Sequence, residues 1–323
     1  MNGERKIFSL PFVIYITLLA GGVVLFLGFY LPSSFKFASK EIPFISTPAH
    51  ASLFIAGDMM LDRNVRNIIN KIGSDAFFAG VADTVKGVDI AVANLEGPFT
   101  SYPSVTSSLV SKELRFTFDP ALVPKLALLG FDMFGLANNH TYNFGYEGLQ
   151  MTRRYLGQSG IGYYGEPDNE EEISTIVTKD GIAIGFVGFN EFSYTNYENV
   201  FAEIERLRPL VDVLIVSPHW GPEYQKQPTA KMQKWSHDFI DSGADAVIGA
   251  HPHVVMTTEE YRGKKIYYSL GNFVFDQYFS EDTMNGLALR VDIVKTKDTT
   301  KLTYTELPVR IDREGVRLQS IDN

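Results

Sequence analysis

The chain has 323 residues, 45% of them hydrophobic and 21% charged, with 29 basic against 38 acidic side chains and a net charge of −9. This composition excludes a mainly disordered chain and supplies core enough for one large domain or two small ones, while the acidity argues against a basic nucleic-acid-binding face. No cysteine is present, which excludes disulfide scaffolds, thiolate zinc sites, iron–sulfur clusters and cysteine nucleophiles.

The charge is unevenly spread. Residues 1–50 hold four bases (Arg5, Lys6, Lys36, Lys40) and two acids (Glu4, Glu41), so the excess of acid lies wholly in the remainder. No charged residue falls between Lys6 and Lys36, and Ile7 to Leu31 is an apolar run of the length a membrane-spanning helix needs. A cleaved signal peptide is the competing reading, but its apolar region is usually only about 7–15 residues. The expected organisation is a short cytoplasmic tail (1–6), a single transmembrane anchor (7–31), a linker (32–50) rich in proline and serine, and an extracytoplasmic domain (51–323) on the cell membrane. Arg5 and Lys6 favour a cytoplasmic N-terminus.

From Ala51 onward, short apolar runs alternate with amphipathic stretches. Strands are predicted at Ser52–Ala56, Asp89–Ala93, Asp132–Leu136, Ile182–Gly188, Val211–Val216 and Ala246–Ile248. Helices are predicted at Val65–Ile72, Asp75–Val85, Pro120–Leu129, Tyr146–Ser159 and Thr229–Ser242, with Asp119-Pro120 as an N-cap acid followed by proline. The tail changes character: Lys265–Leu270, Leu287–Val294, Leu302–Leu307 and Val316–Ile321 read as consecutive strands. The pattern is that of an α/β fold with two sheets face to face and helices covering them. In such folds ligands collect at the carboxyl ends of strands.

The polar residues follow that rule. Asp58 closes one apolar run, Asn94 and Glu96 the next, and Asn138, Asn139 and His140 a third; His219 ends a fourth, and His251 and His253 a fifth. Each has a plain structural explanation alone, such as a turn asparagine or a helix cap. Together they form an imidazole–carboxylate–amide set that suits one or two divalent ions of Zn, Mn, Fe or similar character.

At these residues the sequence resembles the CapA family, the capsule or poly-γ-glutamate synthesis proteins, and more distantly the calcineurin-like metallophosphoesterases. The resembling segments are Gly57–Arg63, Asn94-Leu95-Glu96-Gly97, Arg115-Phe116, Ala137–His140, His219-Trp220-Gly221 with Glu223-Tyr224, Gly249–His253 and Tyr268–Phe273. The resemblance implies a four-layer α/β/β/α sandwich. It also implies that Asp58 and His253 bind one ion, that Glu96 bridges, and that Asn139, His219 and His251 bind a second. His140 then matches the general acid. Two departures stand out: methionine, Met60, where a metallophosphoesterase carries a ligand histidine, and Asn143 where an orienting aspartate is usual. Arg63, Asn94 and Asn272 are the candidate substrate-binding residues, with loop fixing as the competing role for Asn272, while Trp220 and Tyr224 are candidates for an aromatic wall. The implied function is a metal-dependent phosphoesterase-type site, with a non-catalytic, metal-dependent polymer-binding subunit as the alternative. The implied partners are the membrane, an anionic polymer or phosphoester, and other capsule or poly-γ-glutamate synthesis membrane proteins.

Overall fold

The computed structural model describes residues 14–19, 22–27, 47–106, 113–193 and 196–319. The chain divides into two units, Met1–Ile45 and Ser46–Asn323. In the first, β1 (Ile14–Leu19) and β2 (Gly22–Leu27) pair antiparallel, Ile14 opposite Leu27. This corrects the expectation of one helix through Ile7–Leu31, as far as that stretch is described. Its β-branched and aromatic residues (Ile14, Tyr15, Ile16, Thr17, Val23, Val24, Phe26) suit extended backbone, and Gly21-Gly22 weakens a helix. The remainder of the anchor, the tail 1–6 and linker residues 32–46 lie outside the described residues. Among the described residues, no helix is long and apolar enough to cross a membrane.

The second unit begins with β3 (Ala49–Met59), β4 (Ile90–Leu95), β5 (Met133–Gly135) and β6 (Gly162–Tyr164), which run parallel in that order. Helices α1 (Arg63–Ile72), α2 (Ser74–Phe78), α3 (Ala82–Lys86), α4 (Val123–Leu129) and α5 (Gly145–Gln158) connect them. A second, six-stranded sheet follows, formed by β7 (Ser174–Lys179), β8 (Ile182–Asn190), β9 (Val213–His219), β10 (Ala246–Ile248), β11 (Thr258–Tyr261) and β12 (Lys264–Tyr267). Helices α6 (Tyr197–Leu207) and α7 (Ala230–Asp241) cover it. The chain then returns to the first sheet with β13 (Asn272–Val274), α8 (Glu281–Met284), β14 (Asn285–Lys295), β15 (Thr300–Asp312) and β16 (Gly315–Leu318).

Alternation along the strands makes the layers. Leu53, Ile55, Ile90 and Val92 of the first sheet meet Ile184, Phe186, Val213 and Ile215 of the second in a core between the sheets. Phe54, Ala91 and Phe134 turn the other way, against Val65, Ile69, Leu126 and Leu149 of the helices. Val187, Leu214, Val216 and Val247 pack on Val200, Ile204 and Phe239. The result is helix, sheet, sheet, helix. The predicted helix over 75–85 is instead two short helices, parted where Gly80 lies against Arg317; a Cβ at Gly80 would sit 2.4 Å from that residue's Cβ. Asp119 caps the turn at Pro120–Leu122 by accepting from the Ala121 amide at 2.9 Å.

Candidate metal centre

The polar residues converge at the carboxyl ends of the parallel strands of both sheets. Asp58 reaches the space between the sheets through a bulge. Ala56 pairs with Ala93 but Asp58 with Asn94, so β3 carries one extra residue at Gly57. Phe54 and Ala56 face the helices, and an unbroken strand would send Asp58 the same way; the extra residue reverses the alternation and turns its carboxylate toward the histidines of the second sheet. Gly57 is required there because a Cβ would lie 2.0 Å from the Gly271 carbonyl oxygen.

Two ligand groups result, each with donor atoms within 4.8 Å of one another: Asp58, Glu96 and His253, and Glu96, His219 and His251. Glu96 belongs to both. It is fully buried, and neither carboxylate oxygen has a hydrogen-bond partner. Burial, reinforced by the negative charges of Asp58 and Glu223, holds its carboxyl well above the usual range. A buried carboxylate left without donors is costly, and cations on its two sides would remove that cost. The donor set therefore fits a divalent ion, as an oxygen-and-imidazole, thiolate-free site should.

The surrounding bonds aim the ligands. The Asn94 amide donates to Asp58 Oδ1 at 2.7 Å and lies 3.3 Å from His219 Nδ1. Asn138 donates to Asn94 Oδ1 and to the Leu95 carbonyl, at 3.2 and 2.9 Å. His219 Nε2 lies 2.9 Å from Asn139 Oδ1 and 3.1 Å from His251 Nδ1, so these three converge. His253 Nδ1 stands 3.3 Å from Asp58 Oδ2 and 3.0 Å from Asn272 Oδ1, while its Nε2 is 3.7 Å from Glu96 Oε1. Asn272 is held in turn by Gln277 and the Thr283 carbonyl. Asn94 and Asn272 thus sit among the groups that orient the ligands.

A phenylalanine lies against each of three imidazoles. Phe116 packs on His140 at 4.5 Å between ring centroids, Phe192 on His251 at 4.3 Å, and Phe275 on His253 at 4.7 Å. Burial and neighbouring imidazoles depress His219 well below its ordinary value and His251 to about 3, and burial lowers His140. Neutral imidazole is the form that can coordinate. His140 Nε2 points at Glu96 Oε1 from 3.8 Å, beyond hydrogen-bonding range.

Other candidates lie around this centre. Arg63 pairs with Asp276, Nε to Oδ2 3.3 Å, and keeps a third of its side chain exposed. Met60 is buried, its sulfur accepting from the Asp62 amide at 3.1 Å, so the thioether is turned to the backbone. Trp220 is a core residue whose indole N–H donates to the Tyr268 carbonyl at 2.8 Å. Tyr224 is 46% exposed and 6.2 Å from the His253 ring. Phe192 and Glu223 have no assigned role in the sequence, and Asn138 only a general place in the polar set. Only Glu223 and Asn138 stand inside motif segments where they were readable.

Two stacked mixed sheets with helices outside, and a carboxylate–imidazole–amide centre at the strand ends, define a metallophosphoesterase-like fold. A phosphatase of Mycoplasma pneumoniae shares it at TM-score 0.53 and 13% identity, over 83% of this chain and 97% of that one. The chain belongs to the bacterial capsule synthesis protein family PGA_cap, whose model matches residues 52–277. It is 30% identical over 271 residues to the PGA biosynthesis protein CapA of Bacillus subtilis, covering 77% of this chain and 70% of that protein. It is 27% identical over 246 residues to the capsule biosynthesis protein CapA of Bacillus anthracis, covering 70% of this chain and 60% of that protein's length.

Proposed function

We propose that this protein is a divalent-metal-dependent phosphoester hydrolase acting in capsule or poly-γ-glutamate synthesis, held at the outer face of the cell membrane through its apolar N-terminal stretch. The observation that carries the hydrolase reading is Glu96: a fully buried carboxylate with no hydrogen-bond donor, shared by two ligand groups. Asp58 and His253 hold one side of it, and His219, His251 and Asn139 the other. Bound there, a divalent cation supplies Lewis-acid polarisation of a phosphoryl oxygen and a more acidic water. Arg63 holds an anionic group of the substrate, while Asn94 and Asn272 keep Asp58, His219 and His253 in place. As the water oxygen bonds to phosphorus, the bond to the leaving oxygen would break; the water would give up its proton to solvent, and His140, having taken up a proton at Nε2, would pass it to the leaving oxygen and return to its neutral form.

The acidic domain needs such ions even to approach a polyanion, because an excess of acidic side chains repels one. The apolar, charge-free composition between Lys6 and Lys36, independent of its secondary structure, supports the membrane location. The test is metal content together with phosphomonoester and phosphodiester turnover of the full chain, alongside His140→Ala and His251→Ala. Metal near two ions per chain, with turnover lost in both variants, is the expected result. Metal bound without turnover on any phosphoester would favour a subunit that binds an anionic polymer, and no metal at all would overturn both readings.

A further inference from the structure

Asn143 Oδ1 lies 2.6 Å from the Phe116 amide nitrogen and 3.1 Å from His140 Nδ1. The backbone N–H of Phe116 can only donate, so the Asn143 atom facing it must be the oxygen, and the side-chain amide cannot be turned over. The same oxygen therefore requires a proton on His140 Nδ1. That leaves Nε2, 3.8 Å from Glu96 Oε1, as the nitrogen turned to the ligand cluster.

The limb carrying Phe116 is itself pinned. The Thr117 amide donates to Asp62 Oδ2 at 3.0 Å, and the Arg66 guanidinium reaches the Thr117 carbonyl while bonding Asp62 Oδ1 at 2.8 Å. Ser104 and Thr106 hydroxyls donate to the same carboxylate, each at 2.7 Å. Phe118 exchanges backbone bonds with Pro98 and Thr100. The Phe116 ring lies on the imidazole at 4.5 Å, with 32° between the planes. The position of the Asn143 oxygen is thus set from Asp62, through the 116–118 limb.

We infer that Asn143 is a positioning residue that fixes neutral His140 as the Nδ1–H tautomer, so that any proton the ring exchanges with a substrate passes through Nε2. An asparagine accepts the Nδ1 proton with the geometry of a carboxylate but without its charge, and the Phe116 amide supplies the rigidity that a lone asparagine lacks. The Leu114 carbonyl also faces the ring and is the competing acceptor. Its catalytic consequence rests on the hydrolase reading above, whereas the tautomer does not.

The test is nitrogen NMR of full-length protein labelled with [15N]histidine, with and without zinc, His140→Ala assigning the signal. A pyrrole-type Nδ1 and a pyridine-type Nε2 are expected at His140. Asn143→Leu should move the population toward Nε2–H and lower kcat about tenfold or more with unchanged metal content, and Asn143→Asp should restore the wild-type pattern. An Nε2–H tautomer in the wild type, or a pattern unaltered in Asn143→Leu, overturns the inference. Should Asn143→Leu fail to fold, the wild-type and Asn143→Asp spectra still decide it. The expected tautomer without phosphoester turnover would sink the hydrolase reading and leave this one standing.

Discussion

The backbone amide of His251 donates to Asp58 Oδ2 at 3.1 Å. This bond links the two ligand groups, because the His251 imidazole belongs with Glu96 and His219 while Asp58 belongs with Glu96 and His253. It is made possible by a left-handed backbone at His251, with φ of 96°, followed by a second at His253, with φ of 59°. Side chains rarely tolerate that region, and local strain at a site is held there by the surrounding structure.

Separating ring from backbone gives the first prediction. His251→Gly and His251→Ala both remove the imidazole, so each should lose the ion held with Glu96 and His219 and retain the Asp58–amide bond. Glycine relieves the left-handed strain, and His251→Gly should be more stable than His251→Ala by about 1 kcal/mol. Metal analysis and urea denaturation of the metal-free proteins check both parts. Equal stability of the two variants would show that the backbone relaxes.

Glu96 should show a crossing. Without metal, Glu96→Gln removes a buried carboxyl that has no donor, and should raise stability by about 1 kcal/mol, the low end of the cost of such a group. With metal present the order should reverse, because the wild type gains about 2.7 kcal/mol when ligand is at a hundred times its dissociation constant, and the variant loses much of that gain. Thermal melts with and without chelator read both arms. A variant less stable than wild type in chelator would contradict the account.

Asp62 predicts a pH dependence of stability. Burial alone would raise its carboxyl, but donors from Thr106, Ser104, the Thr117 amide and Arg66 outweigh burial and hold it below the ordinary value. A depressed folded-state value means that the stabilisation is present above the unfolded value, about 3.9, and is lost as pH falls through the lower folded value. Asp62→Ala should therefore cost about 3–5 kcal/mol at neutral pH, since it strands Arg66 and three other donors. The gap between wild type and variant should hold level down to about pH 5 and shrink below about pH 4. Denaturant midpoints across that range measure it; a gap independent of pH would exclude the carboxylate as its source.

How much of this was legible in the sequence depends on the range of the forces involved. Each ligand follows an apolar run, so the strands and their polar ends could be read locally, and Ala246–Ile248 matches residue for residue. Helix Tyr197–Leu207 leaves a weak signal although Val200, Ile204 and Leu207 share its buried face, because the helix is short and ends at Arg208-Pro209. Strand Ser174–Lys179 leaves even less: it is an edge strand, half exposed, with no apolar run to mark it. Partners distant in sequence were unreadable in principle. Asn143 looked like the loss of an orienting carboxylate, and only the Phe116 amide, 27 residues away, shows what holds it. Likewise the break between α2 and α3 falls where Gly80 bridges Arg317 on the last strand of the sheet, a contact no local pattern shows.

The bulge at Gly57 yields the last prediction. It is the feature that swaps the faces of β3, and it admits only glycine, since a Cβ would be 2.0 Å from the Gly271 carbonyl oxygen and 3.3 Å from the Leu270 Cβ. Both neighbours belong to the turn leading into β13, whose Asn272 pairs with Asp58 and holds His253. Backbone cannot move aside as a side-chain end can, so Gly57→Ala should push β13 away from β3 at a cost of about 1–3 kcal/mol. The shift should carry Asp58 and His253 apart and weaken the ion they hold with Glu96, leaving the Glu96, His219 and His251 group less affected. Gly157→Ala is the control: that glycine lies in helix α5 with open space around it, and alanine there should be neutral or stabilising by up to about 1 kcal/mol. Metal stoichiometry and denaturation of the two variants decide the matter. Full metal loading in Gly57→Ala would show that the close approach of β3 and β13 serves packing alone and does not aim Asp58.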